Sequence, residues 1–466
     1  MRFATNKILL LFFCVFTFYL SAQNEFKTFT KETGLTSSNI LFTYIDSKGI
    51  IWAATNHGLN AFTAGEWTPI KSISDNKSHE INLGKVLNIF ETSMGELWIA
   101  TEKGLFIYNR KFWTHYSDTE NSDFFIKQIF EDNYGWIWVL LEKTNAIKDV
   151  GEIGFSFVEG RVQMFNGSQW FDFPGMIGGS AAVIVGEPRD YFTSIMQDHS
   201  GNIWITSLDG LYNYDRKVWT EFNDEQLPSD KCYKVIETSD NIIWVATANG
   251  IARQDGEDWL KFESAKGIKG KLTYDLFEDS QNRLWAFTRK DHKFKALCYY
   301  ENNKWESCFS NDIHLKSEIS KLIDFNGKTI AFSNKGISIF EKGNWNKLGN
   351  IYDIIDDNYS TIIKVNDTSI WFAAKKGLYH IINDNLVKVF SIKSKWKVTS
   401  LFESSKGEIW VGTEKDGVYV INPTKNIHFN VRNGLKDNHI TEVFEDLKGS
   451  IWVVTKNGIS KLENWL

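Results

Sequence analysis

Apolar and polar residues alternate over runs of five or six positions, and Gly, Asn and Asp cut these runs every seven to ten residues. No apolar stripe at helical spacing survives the interruptions, so the pattern predicts short β-strands joined by tight turns. Compared with itself, the chain shows a unit whose best copies read E-D-x-x-G-x-I-W-x-x-T-x-x-G-L, then a short apolar stretch and a second aromatic near W-x-x-F. The Trp or its equivalent falls at Trp52, Trp98, Trp138, Trp204, Trp244, Trp285, Ile330, Trp371, Trp410 and Trp452, mostly 39 to 46 residues apart. That is the period of a four-stranded propeller blade. The longer interval from Trp138 to Trp204 contains the Gly-rich segment Gly151 to Gly186, read as a long hairpin or loop on a normal blade.

Each piece of the unit has a mechanical reason. Asp446 to Gly449 forms a tight turn in which the Asp side chain bonds nearby backbone and Gly takes the positive φ. Ile451 to Thr455 is the second strand, and its Trp lies where adjacent blades face each other. Burying such an indole contributes up to roughly 4 kcal/mol by area. Fourth strands open on an aromatic, as at Trp67, Trp113, Trp219, Trp259 and Trp345. The fold expected is therefore an all-β propeller of about ten four-stranded blades over residues 24–466. The last unit lacks a fourth strand, and the stretch from Glu25 to Phe29 is a fourth strand without a blade, so the N-terminal strand is expected to complete the last blade. One wide ring of ten is favoured. The competing arrangement is a seven-bladed ring followed by three further blades, which would leave apolar faces uncovered.

Composition narrows the partners. A formal net charge of -6 and no block of like charges give no footprint for nucleic acid or an anionic membrane. Arg2 and Lys7, the apolar run from Ile8 to Leu20 and the small residues Ser21 and Ala22 read as a signal peptide over residues 1–22. No later stretch is long enough to span a bilayer, so a periplasmic or secreted location is expected. Of the remaining cysteines, Cys232, Cys298 and Cys308, the last two flank a turn between adjacent strands, where either a disulfide or two buried thiols fits.

The runs I-D-S-K-G-I-I-W-A-A-T-N-H-G-L from Ile45 and F-E-S-S-K-G-E-I-W-V-G-T from Phe402, with the lead-ins G-L-T-S-S-N-I at Gly34 and G-L-K-D-N-H-I at Gly434, resemble the two-component regulator propeller repeat. The resemblance covers nearly all of the expected mature chain. It implies a periplasmic input domain of a bacterial hybrid sensor kinase, a family that often senses oligosaccharides. Those sensors continue into a β-sandwich, a membrane helix and kinase modules, and this sequence shows none. The expectation is thus a free-standing binding protein, a partner of a separate membrane sensor kinase, or a piece of a longer frame.

In a propeller the inner strands begin at the channel mouth, so residues six before each turn Glu should line one face. These include Asn39, Lys85, Tyr191, Lys231, Leu272, Lys397 and His439, with Lys127, Tyr233 and Tyr274 two residues further in. Cationic and aromatic side chains around one opening suit a saccharide ligand, rings stacking on its apolar face and Lys bonding its oxygens. Rims are also polar simply because they meet water. Carbohydrate cleavage needs a carboxylate pair, but Glu131, Asp132, Glu278, Asp279, Glu445 and Asp446 recur at a turn in blade after blade, which marks them as structural. The D-x-x-G-x-x-W turn is similar to the Asp-box of sialidases, with its Asp one place early. Scattered His residues and the absence of metal or phosphate motifs point to no cofactor and no enzyme activity. A secreted hydrolase or lyase and a protein-interaction scaffold are the alternative readings.

Overall fold

The structure is a computed structural model that describes residues 25–466 except 71, 75–79, 117–123, 144–148, 151–155, 158–159, 174–191, 264–267, 269, 290–294, 308–318, 334–335, 349–360, 367–368, 375–376, 383, 391–396, 423–425, 464 and 466. The proposed signal peptide, Tyr191 and Cys308 lie outside the described residues.

Ten four-stranded antiparallel sheets follow one another along the chain as blades 1 to 10. Their residues are 40–70, 86–116, 124–173, 192–222, 232–262, 272–307, 319–347, 361–390, 398–429 and 440–463, the last with Glu25–Phe29 as its outer strand. The N-terminal strand pairs antiparallel with Gly458–Glu463, Phe29 opposite Ile459. The only helical element among the described residues is the 3₁₀ turn Lys31–Thr33. In blade 3 the long interval carries a small extra hairpin, Asp149–Val150 with Ser156–Phe157, between its second and third strands.

The turn chemistry is as the repeat predicts, and the indole adds to it. Asp446 Oδ1 accepts the N–H groups of Lys448 and Ser450 at 3.0 and 2.9 Å, Gly449 sits at φ 80°, and Oδ2 accepts the Trp452 indole N–H. The same carboxylate-to-indole bond, 2.7–2.9 Å, joins Asp46 to Trp52, Asp132 to Trp138, Asp198 to Trp204 and Asp279 to Trp285. One Asp thus fixes both the turn and the rotamer of the residue that fills the next interface.

Each Trp faces the following blade. Trp98 packs with Ile126 and Val139 of blade 3, Trp285 with Leu322 and Phe340 of blade 7, and Trp410 with Ile440 and Val453 of blade 10. Blades 7 and 8 share a continuous apolar face that includes Phe332, Ile339, Ile370 and Phe372. Blade 10 closes on blade 1, Trp452 lying 4.8 Å from Phe62 and 6.0 Å from Trp67. The chain is one ring of ten blades. A seven-plus-three division would have to split two of these buried faces.

A second set of bonds ties the turns together on the face where inner strands end. Glu91 of blade 2 accepts the Ser47 N–H and Oγ–H of blade 1 at 2.8 and 2.6 Å. Glu131 holds Ser93, Glu278 holds Ser239 and Glu445 holds Ser405 in the same way. At the blade 4–5 joint His199 replaces the Ser, and its N–H and Nδ1 both meet Glu237. These repeated carboxylates are occupied as interblade clamps.

Candidate functional site

Consecutive inner strands lie beside one another around the ring, so their ends and exposed faces border the central channel. The residue before the inner strand is fixed by a backbone bond to the residue after the second strand. Glu102 N–H donates to Lys85 O, Ala248 to Lys231 O, Glu414 to Lys397 O and Lys456 to His439 O, at 2.9–3.0 Å. Lys85, Lys231 and Lys397, with Asn39, are exposed and His439 is half-buried. Lys85, Lys231, Lys397 and His439 therefore occupy equivalent places, and Asn39 likewise stands immediately before the inner strand of blade 1. Leu272 does not join them in character, because it is only 5% exposed.

The next level is set by a bulge that sequence counting does not reveal. In nine blades the pairing of the first two strands slips by one residue near the start of the inner strand. The extra residue is re-aimed. It is Thr193 in blade 4 and Thr399 in blade 9, and each hydroxyl donates to the backbone carbonyl that opens the next inner strand, Cys232 O at 2.8 Å and Ile440 O at 2.5 Å. In blade 3 it is Lys127, whose side chain lies outside the described residues. In blades 5 and 6 it is Tyr233 and Tyr274, both half-buried. The Tyr274 ring lies 5.0 Å beneath the Arg289 guanidinium and 6.0 Å from Phe287. Burial pushes the Tyr233 hydroxyl up to about 12, with smaller contributions from Cys232 and Asp230, so it is a neutral donor at any physiological pH.

Just inside the bulge stands a polar belt that the sequence reading missed. The residue opposite the position two beyond each Trp, or beyond Ile330 in blade 7, is Asn88, Gln128, Ser194, Lys234, Asp275, Lys321, Ser400 or Glu442 in eight blades. Its signal is a polar residue three before the turn carboxylate or its counterpart, in a strand otherwise largely apolar. Two members satisfy the free edge of the next inner strand: Ser400 Oγ accepts Val443 N–H at 3.0 Å, and Glu442 accepts Thr43 N–H at 3.2 Å. Burial raises the Glu442 carboxyl above its ordinary range despite that bond. Asp275 is exposed, yet the protein packed around it desolvates its carboxyl enough to raise it, and its Leu276 N–H bond and the Lys234 charge of blade 5 offset part of the effect.

The sector shared by blades 5 and 6 therefore gathers Lys231, Tyr233, Lys234, Tyr274, Asp275 and Arg289. It offers two aromatic faces, three cationic heads and one carboxylate on adjacent strands. Lys85, Asn39, Lys397 and His439 belong to other blades. Among the described residues no group of three or more His, Cys, Asp and Glu is placed to hold a metal ion, and no helix is long and apolar enough to cross a membrane.

No protein-family model matches the sequence, and no curated protein matches it. Solved structures do. The extracellular domain of the putative hybrid two component system BT3049 from B. thetaiotaomicron is 17% identical over 95% of this chain and 71% of its own, with a TM-score of 0.27. The corresponding domain of BT4673 from the same organism is 14% identical over 94% and 83%, TM-score 0.31. PorZ, a surface component of the type-IX secretion system of Porphyromonas gingivalis, is 15% identical over 91% and 74%, TM-score 0.29. At this level of likeness no residue role is carried over to this chain.

Proposed function

We propose that the protein is a periplasmic or secreted binding propeller that takes an oligosaccharide at the channel mouth between blades 5 and 6 and passes the signal to a separate membrane sensor kinase. The observation that carries this reading is the replacement of a small bridging Thr by Tyr at two consecutive bulges, Tyr233 and Tyr274, flanked by Lys231, Lys234 and Arg289. At the same place Thr193 and Thr399 bond the backbone of the next inner strand. Phenol rings stack on the apolar faces of pyranose units, and cationic side chains bond their oxygens or carboxylates. Binding without turnover is the expected behaviour, since the recurring carboxylates of the opposite face are engaged in turns and clamps.

A thermal-shift screen against plant and host oligosaccharides, followed by product analysis of every hit, tests the reading. Selective stabilisation without new fragments is expected. In Tyr233→Ala and Tyr274→Ala the affinity for a hit should fall about tenfold each, the loss of one stacked ring. Indifference to the whole panel, or hits unaffected by both substitutions, would sink the proposal. Released fragments would make the protein an enzyme instead.

A further inference from the structure

Two arginines, Arg110 in blade 2 and Arg216 in blade 4, occupy matching places on the clamp face, away from the channel mouth. Both stand in the turn between third and fourth strands at positive φ, 72° and 75°. Each sends Nε to the carbonyl of the Gly in its own blade's first turn, Gly95 or Gly201. Each sends Nη1 to the turn Asp of the preceding blade, Asp46 or Asp132. Their third contacts differ. Arg110 Nη2 meets Glu91, the clamp carboxylate of its blade. In blade 4 the clamp residue is Gln197, whose Oε1 accepts Asn133 N–H at 2.9 Å and whose Nε2 donates to Gly201 O. Arg216 Nη2 is left buried with no hydrogen-bond partner among the described residues.

A guanidinium N–H left unpaired in the interior is costly, and a carboxylate is the acceptor whose geometry it fits best. What covers this one is a movable side chain. The Tyr134 ring centroid is 4.6 Å from the Arg216 guanidinium carbon and Trp136 is 5.2 Å away, yet Tyr134 itself is 61% exposed. Val218, from the same turn as Arg216, is 55% exposed. Rotation of the Tyr134 ring would open Nη2 to a group arriving from solvent across an apolar rim.

We propose that the joint of blades 3 and 4 on the clamp face is a binding site for a ligand carboxylate, which bonds Arg216 Nη2 in the position that Glu91 fills at the joint of blades 1 and 2. The site is independent of the saccharide reading and stands or falls separately from it.

The test compares melting temperatures in acetate and in chloride at equal ionic strength. The wild-type protein should melt higher in acetate. Gln197→Glu, which supplies the carboxylate internally, should melt about 1–2 °C above wild type in chloride and gain nothing from acetate. Glu91→Gln recreates the unpaired donor at the other joint, so it should melt lower in chloride and acquire an added acetate response. A Gln197→Glu protein no more stable than wild type, or one that responds to acetate as wild type does, overturns the proposal. The peptide acetyl-Leu-Glu-Leu-amide separates two sources of carboxylate. Stabilisation at a tenfold lower concentration than acetate identifies a protein side chain, response to acetate alone identifies a small free acid, and response to neither rejects the site.

Discussion

Asp446 and its counterparts show how much a single side chain carries in this protein. Asp46 is pushed up by burial, but bonds from the Trp52 indole, Arg110 and the Ile50 N–H outweigh that and hold its carboxyl below the usual range. Asp279 is held down in the same sense by Trp285, Thr329 and Arg283 against its burial. A depressed carboxyl stabilises the fold fully above its unfolded value of about 3.9 and loses that contribution as pH falls through the folded value. Acid titration followed by circular dichroism should therefore show stability falling steeply below about pH 4. Asp446→Ala, which leaves a buried indole N–H and two turn N–H groups without their acceptor, should cost about 2–3 kcal/mol in chemical denaturation. Glu442 has the opposite sign. Its raised carboxyl binds a proton more readily folded than unfolded, so ionisation costs stability as pH rises past the unfolded value of about 4.3. Glu442→Gln keeps an acceptor for Thr43 N–H and should raise the melting temperature at pH 7 by about 1–2 °C, the gain shrinking towards pH 4.

Strands and turns were legible in the sequence wherever their cause is local. The Asp, Gly and Trp of each turn lie within six residues, so their spacing announces them, and the aromatic that opens a fourth strand follows its own turn directly. The bulge has no such signature. It depends on the pairing between two strands, and one extra residue sends the side chains that follow to the other face. Counting back six from the turn Glu thus gave exposed residues at Lys85, Lys231 and Lys397 but placed buried Leu272 in the same class, and the belt of Asn88, Lys234, Asp275 and Glu442 went unnoticed. The completing strand was legible because Glu25–Phe29 matches the outer strand missing from blade 10. Phe29 stacks on Trp452 at 6.1 Å and meets Phe62 at 5.7 Å. Phe29→Ala should lower unfolding free energy by about 3–4 kcal/mol in urea titration, unless the closing strand contributes nothing to the last interface.

Ring size is a property of the whole molecule, fixed by contacts far apart in sequence. Phe332 meets Phe372 at 5.5 Å where a seven-bladed ring would have ended, and Trp452 meets blade 1. A fragment of residues 25–347 would bare both faces, so it should aggregate or unfold on size-exclusion chromatography; a monomeric, cooperatively melting fragment would show that seven blades close by themselves.

Most joints described here are stitched twice, by an aromatic core and by a carboxylate reaching across the turns. Where blade 10 meets blade 1, Ile45 stands in place of that carboxylate and Leu447, 72% exposed, in place of the serine. The clasp of this bracelet is therefore greasy where most of its other links are salted, and a force that widens the hoop would work there against an oily contact and the loan of one N–H from Thr43 to Glu442.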